Sequence, residues 1–185
     1  MNLQTKITIA APDFSIDYNS KLMMLGSCFA ENMGGKFSYY KFDVDVNPCG
    51  IIYNPLSVAN VLRLIMEGKP FGKDDLRKVG EKWVSLYHHG AFSSTDPEEC
   101  LRRINERLER ATRELRSLDL LVITWGTAWV YKHVGENMVV SNCHKIPSQE
   151  FERSRLSVED IVKEYVELIG RLREINPGLR VLFTV

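Results

Sequence analysis

The sequence predicts an α/β domain built on a doubly wound parallel sheet, and three observations carry that expectation. Short apolar runs that read as strands alternate with amphipathic segments of ten or more residues that read as helices. The most strand-like stretch, Asp119 to Gly126, is apolar on both faces, as a strand central in a parallel sheet has to be. No repeat, low-complexity segment or linker divides the 185 residues, so a single domain over 1–185 is expected.

The elements follow in order. Leu22 to Ser27 is an apolar run broken by Gly-Ser, which reads as a buried strand ending in a tight turn. From Cys28 to Tyr40, Phe29, Met33, Phe37 and Tyr40 recur at three- and four-residue steps and predict one inward face of a helix. Phe42 to Asn47 alternates like a strand and runs into Asn47 to Pro55, where two prolines and a glycine force irregular backbone. Ser57 to Glu67 reads as a helix with Val58, Val61, Leu62 and Ile65 inward and Gly68 as its cap. After a polar stretch over 69–80, Trp83 to His89 has β-type residues in partial alternation. Asp96-Pro97-Glu98-Glu99 opens a helix that runs to about Ser117, its Arg- and Glu-rich face expected to be a solvated surface. Trp129 to Ser141 reads as a β-hairpin inserted after the central strand. Ser157 to Glu174 is a second long amphipathic helix, with Val158, Ile161, Val162, Tyr165, Ile169 and Leu172 inward, and Leu179 to Val185 is a strand.

Composition excludes several classes. The 24 basic and 24 acidic side chains balance, so no long-range positive field draws in phosphate backbones, and no nucleic-acid partner is expected. A membrane span needs about 20 consecutive apolar residues, far more than the run from Leu118 to Trp125 supplies. Met1 to Ile9 lacks the basic-then-apolar pattern of a secretory signal, which leaves the cytoplasm as the default compartment. Cys28, Cys49, Cys100 and Cys143 show no C-x-x-C spacing, so they are expected to be free thiols, with no metal and no cofactor.

Ligands of doubly wound sheets bind at the C-terminal ends of the strands, and three loops there carry chemistry. In the first, Gly26-Ser27-Cys28, the chain turns sharply and presents a hydroxyl at a helix N-terminus, whose N–H groups can stabilise negative charge on a substrate oxygen. Ser27 read more simply is an N-cap. The second loop, Asn47 to Pro55, offers Gly50 for close backbone approach and the amides of Asn47 and Asn54, which a wide turn could equally spend on its own backbone. The third, Thr124 to Tyr131, crowds Trp125, Trp129, a phenol and two threonines at one strand end, to wall a pocket or to fill a core. Cys28 offers a rival nucleophile at the helix N-terminus, though packing into the helix is the simpler expectation for it.

The run Gly26-Ser27-Cys28-Phe29-Ala30 is letter for letter the motif that names the GSCFA family, a branch similar to the SGNH/GDSL hydrolases. Asn47 to Pro55, Thr124 to Tyr131 and Ser141 to Pro147 resemble further blocks of that family, in order along the chain. The resemblance implies a three-layer α/β/α flavodoxin-like fold and a serine esterase or acyl-transfer enzyme with Ser27 as nucleophile. It implies an oxyanion hole in which the N–H of Gly50 joins that of Ser27. The third block of SGNH enzymes is Gly-x-Asn, whereas the run here is Gly126-Thr127-Ala128; the asparagine is absent, and Thr127 is left to supply a hydroxyl. Cys28, Asn47, Asn54, Gly126, Trp129 and His144 are expected to line the pocket, and the substrate to be a small-molecule or glycan-linked ester.

A serine hydroxyl needs a neighbouring base. Of the four histidines, His88 and His89 are expected in an exposed polar turn and His133 near a hairpin tip, while His144 could face the site. In the related enzymes the base follows a late strand, which here would place it beyond Val185, so the chain is expected to be an N-terminal fragment. The competing expectation is a non-catalytic carbohydrate- or acyl-group-binding module that keeps the pocket without the triad. A nucleotide or phosphate binder is disfavoured, because Phe29 and Glu31 stand where a phosphate loop would be glycine-rich.

Overall fold

A computed structural model describes residues 13–184. Met1 to Ile9, considered above as a leader, and the last strand residue, Val185, lie outside the described residues. The elements run β1 (Lys21–Gly26), α1 (Cys28–Tyr39), β2 (Asp43–Val46), α2 (Pro55–Glu67), β3 (Arg77–Val79), β4 (Lys82–Val84), α3 (Pro97–Leu115), β5 (Leu120–Thr124), β6 (Trp129–His133), β7 (Met138–Val139), β8 (Phe151–Arg155), α4 (Val158–Ile175) and β9 (Arg180–Thr184). β2, β1, β5 and β9 form, in that order, an all-parallel four-stranded sheet.

Alternation along β1 and β5 builds the layers. Met23, Leu25, Leu121 and Ile123 point into a large core with the inner faces of α2, α3 and α4, while Leu22, Met24, Leu120 and Val122 point to a smaller core under α1. Helices thus cover both faces, the three-layer arrangement expected of a doubly wound sheet. On α2, Val58, Val61, Leu62 and Ile65 are fully buried, each worth about 1.5–3 kcal/mol in transfer from water. This helix starts two residues before Ser57, because Asn54 caps it and Pro55 takes the first turn; Gly68 ends it in the left-handed conformation. The Arg-Glu face of α3 is a surface laced with ion pairs, Glu99 to Arg102 and Arg103, Arg102 to Glu106, Arg110 to Glu114 and Arg113 to Glu109.

Several expectations are corrected. On α1, Phe29 and Tyr40 are exposed, and the helix meets the sheet instead through Ala30 and Gly34. The approach is so close that a Cβ on Gly34 would lie 2.4 Å from a methyl of Val46, and bulkier residues are left to the flanks. On α4, Val158 and Val162 are exposed and Leu168 is buried, because the stripe that meets the core runs Tyr165, Leu168, Leu172. The inserted hairpin of β6 and β7 is part of a three-stranded antiparallel sheet, since β8 pairs with the other side of β6. Only Lys82 to Val84 of the expected 83–89 strand is extended; β3 pairs with it, and the chain then turns. His88, expected to be exposed, is 1% accessible in that turn, and His133 is buried at the end of β6.

Candidate active site

β1 lies between β2 and β5, and α1 and α2–α3 cross on opposite faces of the sheet. The loops after β1, β2 and β5 meet at the C-terminal ends of these strands, the place where doubly wound sheets form their ligand crevice. Ser27 follows one strand and Gly126 follows the other.

The β1–α1 turn depends on Gly26, whose φ is +127° and where an added Cβ would fall 1.9 Å from the Thr124 carbonyl oxygen. Only glycine lets β1 turn there while still in register with β5. Ser27 is extended, caps α1 and is 7% exposed. Its N–H donates to Thr124 O at 3.1 Å and to Thr124 Oγ1 at 2.9 Å. The two hydroxyls, Ser27 Oγ and Thr124 Oγ1, are 3.0 Å apart, and Ser27 Oγ accepts a long bond from Phe29 N–H at 3.4 Å. Thr124, which the sequence places in the third loop without linking it to Ser27, is the partner of that hydroxyl; it pairs with Gly26 in the ladder, a register no local motif encodes.

Asn47 clamps the second loop to the first. Its Oδ1 accepts from Gly26 N–H at 2.9 Å, its own N–H donates to Met24 O, and its Nδ2 donates to Glu31 on α1 at 2.8 Å. Asn47 is buried and has φ +44°, a conformation asparagine tolerates better than most residues. Gly50 has φ +82°, and a Cβ on it would lie 2.3 Å from Cβ of His89, whose N–H donates to Cys49 O. His89, placed in a polar turn by the sequence, is thus the histidine packed against the Gly50 loop. Its Nδ1 accepts from Ala91 N–H, which puts the proton of the neutral ring on Nε2.

The third loop is tied to the second, because Tyr53 O accepts from Gly126 N–H at 2.9 Å and from Thr127 N–H at 3.2 Å. A Cβ on Gly126 would lie 3.0 Å from Cδ1 of Tyr53 and 3.5 Å from Ser27 Cβ, so glycine lets the third loop lie close against Tyr53 and the serine. Thr127 Oγ1 accepts from Trp129 N–H at 3.1 Å and keeps its own proton to donate.

Ser27, Asn47, Gly50, Gly126 and Thr127 are therefore brought together by these three loops. The pair of N–H groups implied as an oxyanion hole is occupied within the protein: that of Ser27 completes the ladder to Thr124, and that of Gly50 closes a turn on Asn47 O at 2.7 Å. In the first turn of α1, beside Ser27, the N–H groups of Cys28 and Ala30 have no protein acceptor among the described residues. Asn54 is buried, and its amide serves the α2 cap, accepting from Ser57 N–H at 2.8 Å and donating to Ser57 Oγ at 3.0 Å. Cys28, expected to pack into the helix, is an exposed free thiol, whereas burial pushes the Cys49 thiol up to about 12. Trp129 is exposed on the inserted sheet.

No histidine and no carboxylate hydrogen-bonds to Ser27 Oγ among the described residues. His144 Nε2 donates to Ser85 O at 2.9 Å, and this side chain lines a cavity of about 500 Å³ between the β3–β4 hairpin and residues 142–145 that Ser27 does not reach. Burial holds the His144 imidazole below its ordinary range, and burial with His144 nearby pushes His88 down to about 3. Among the described residues no three His, Cys, Asp or Glu side chains converge as metal ligands, and no helix is long and apolar enough to cross a membrane.

The model of the GSCFA family matches residues 21–185. No curated protein and no solved structure matches the chain.

Proposed function

The chain belongs to the GSCFA family, and on that premise we propose that it is an SGNH-like serine hydrolase of the esterase or acyl-transfer type, with Ser27 as nucleophile. The observation that carries this reading is a hydroxyl at the N-terminus of α1, at the switch point between β1 and β5, with Gly126 of the third loop set close against it. Ser27 Oγ forms the bond to the acyl carbon, its proton passes to a general base, and the alcohol leaves as the acyl-enzyme forms. Developing charge on the carbonyl oxygen is met by the hydroxyl proton of Thr127 and the N–H of Cys28, joined by the N–H of Gly50 when the turn to Asn47 O opens. Thr124 orients the Ser27 hydroxyl; a threonine is far too weak a base to take its proton at neutral pH. Water then releases the acid. The substrate is a small-molecule or glycan-linked ester.

Reaction of the full-length protein with a fluorophosphonate probe, lost on Ser27→Ala, is the expected result; absent labelling, or labelling that survives the substitution, removes Ser27 from this role. One observation favours a second reading. The hydroxyl partner of Ser27 and the occupied N–H groups of Ser27 and Gly50 equally suit a module that binds a carbohydrate or acyl group at the same crevice without turning it over.

A further inference from the structure

The inserted sheet presents a face that the acyl-transfer chemistry does not use. β6 leaves the crevice three residues beyond Gly126, and its alternate residues Trp129 and Tyr131 stand 39% and 40% exposed. The register pairs Trp129 with Arg155 and Tyr131 with Arg153, so two aromatic rings and two guanidinium groups share one side of the sheet. The Arg153 guanidinium lies 3.9 Å from the centre of the Trp129 ring and 5.9 Å from that of Tyr131. Beside it, Tyr131, Arg153, Ile146 and Phe151 wall a cavity of about 420 Å³.

Two properties of this face point to a ligand class. Arg102, Arg103, Arg107, Arg110 and Arg113 of α3 are all paired with carboxylates, whereas neither Arg153 nor Arg155 has an ion-pair partner among the described residues. Glu152, which precedes Arg153 in β8, is in register with Lys132 and points to the opposite side, and Ser154 stands between the two arginines. A stacked guanidinium keeps its edge N–H groups free for a two-oxygen anion, and a carboxylate fits that fork with two parallel N–H···O bonds. The rings are about 7 Å apart along the strand, a spacing that presents two successive flat apolar surfaces to an extended chain. The apolar C–H face of a pyranose ring is flat enough to lie on such a surface, while its hydroxyls remain hydrated at the rim.

We propose that the Trp129–Tyr131–Arg153–Arg155 face is a subsite for an acidic glycan, a chain of uronic-acid sugars whose rings stack on the aromatics and whose carboxylates bind the arginines. The proposal rests on the reading of the crevice as the place where a glycan-linked ester is bound, and it names the sugar class. The strand then leads the chain from the platform to the Gly126–Ser27 crevice.

The test is titration of the Ser27→Ala full-length protein with a galacturonic-acid oligosaccharide and with a neutral glucose oligosaccharide of equal length, read by tryptophan fluorescence and calorimetry. With Ser27 removed, the result is independent of whether the serine reacts, and fluorophosphonate labelling of the unsubstituted protein tests the serine separately. Saturable binding that prefers the uronate chain is expected. Arg153→Gln should weaken the uronate complex tenfold or more, the worth of about one charge-assisted hydrogen bond, and leave the neutral sugar unchanged. Trp129→Ala should weaken both. Circular dichroism melting confirms that each variant is folded, and Tyr131→Ser provides a second probe of the platform if Trp129→Ala does not fold. No saturable binding, a preference for the neutral chain, or binding indifferent to Arg153→Gln and to both aromatic substitutions overturns the proposal. So does a concentration-dependent dimer that the aromatic substitutions abolish, which would assign the face to a second copy of the chain.

Discussion

His88 makes the fold acid-sensitive by an amount the structure fixes. Its ring is enclosed by Phe71 and Phe92, with centroids at 5.1 and 5.2 Å, and its Nδ1 meets Ser85 Oγ at 2.9 Å. No carboxylate among the described residues offsets a positive charge in that enclosure, so burial, with His144 nearby, pushes the imidazole down from 6.5 to about 3. In the unfolded chain the same imidazole titrates near 6.5. Above that pH both states hold it neutral and it contributes nothing; below it the unfolded state binds a proton that the folded state refuses. Stability is therefore lost as pH falls from about 6.5 towards 3. Between pH 7 and pH 5 the loss attributable to His88 is about 2 kcal/mol, from about 1.36 kcal/mol per pH unit over the part of that interval below 6.5. Urea denaturation at the two pH values, for the protein and for His88→Gln, measures it. The substitution costs stability at both pH values, but that cost cancels in the pH difference, which should shrink by about 2 kcal/mol. An unchanged pH difference, or an NMR titration of His88 near 6.5 in the folded protein, would refute the reasoning.

Three further predictions concern the loop frame and the helix it leads into. Gly26→Ala puts a methyl into the Thr124 carbonyl at a φ that L-residues rarely adopt, and should cost roughly 3 kcal/mol or more in denaturant unfolding. Gly35→Ala on α1, where an added Cβ meets nothing within 4 Å, should instead stabilise by about 0.5–1 kcal/mol. Asn47→Ala leaves the Gly26 N–H without its acceptor in a buried turn; a loss of about 1–3 kcal/mol is expected in the same assay, and a change under 0.5 kcal/mol would show that the clamp is not what holds the turn.

The sequence made the frame of the site legible because chain breaks leave strong local marks. Gly26-Ser27 interrupts an apolar run, Pro48 to Pro55 forces irregular backbone, and the unbroken apolar run Leu120 to Ile123 marks a central strand. What local patterns could not convey was decided by non-local packing. Periodicity locates apolar residues on α4 but not which of two adjacent stripes meets the core, so Val158 and Val162 were assigned inward in place of Leu168. Phe-Glu-Arg-Ser-Arg lacks any alternation, because β8 is an edge strand exposed over most of its length, and it gave no strand signal. The polar sequence around His88 reads as surface, yet aromatic residues from 71 and 92 close over it. Within the site, the Thr124 contact depends on strand register and the His89 contact on the path of a long loop, and neither is written in nearby residues.

The bond from Ser27 N–H to Thr124 is the last rung of the central β1–β5 ladder rather than a loop contact. Because this rung continues the ladder of two buried strands, its amide proton is expected to exchange with solvent deuterium more slowly than those of the surrounding loops. The serine hydroxyl is thus set in position as the sheet closes during folding. A ligand bound there, on the proposed reading, would meet a hydroxyl already held by Thr124, with little ordering entropy left to lose at that residue.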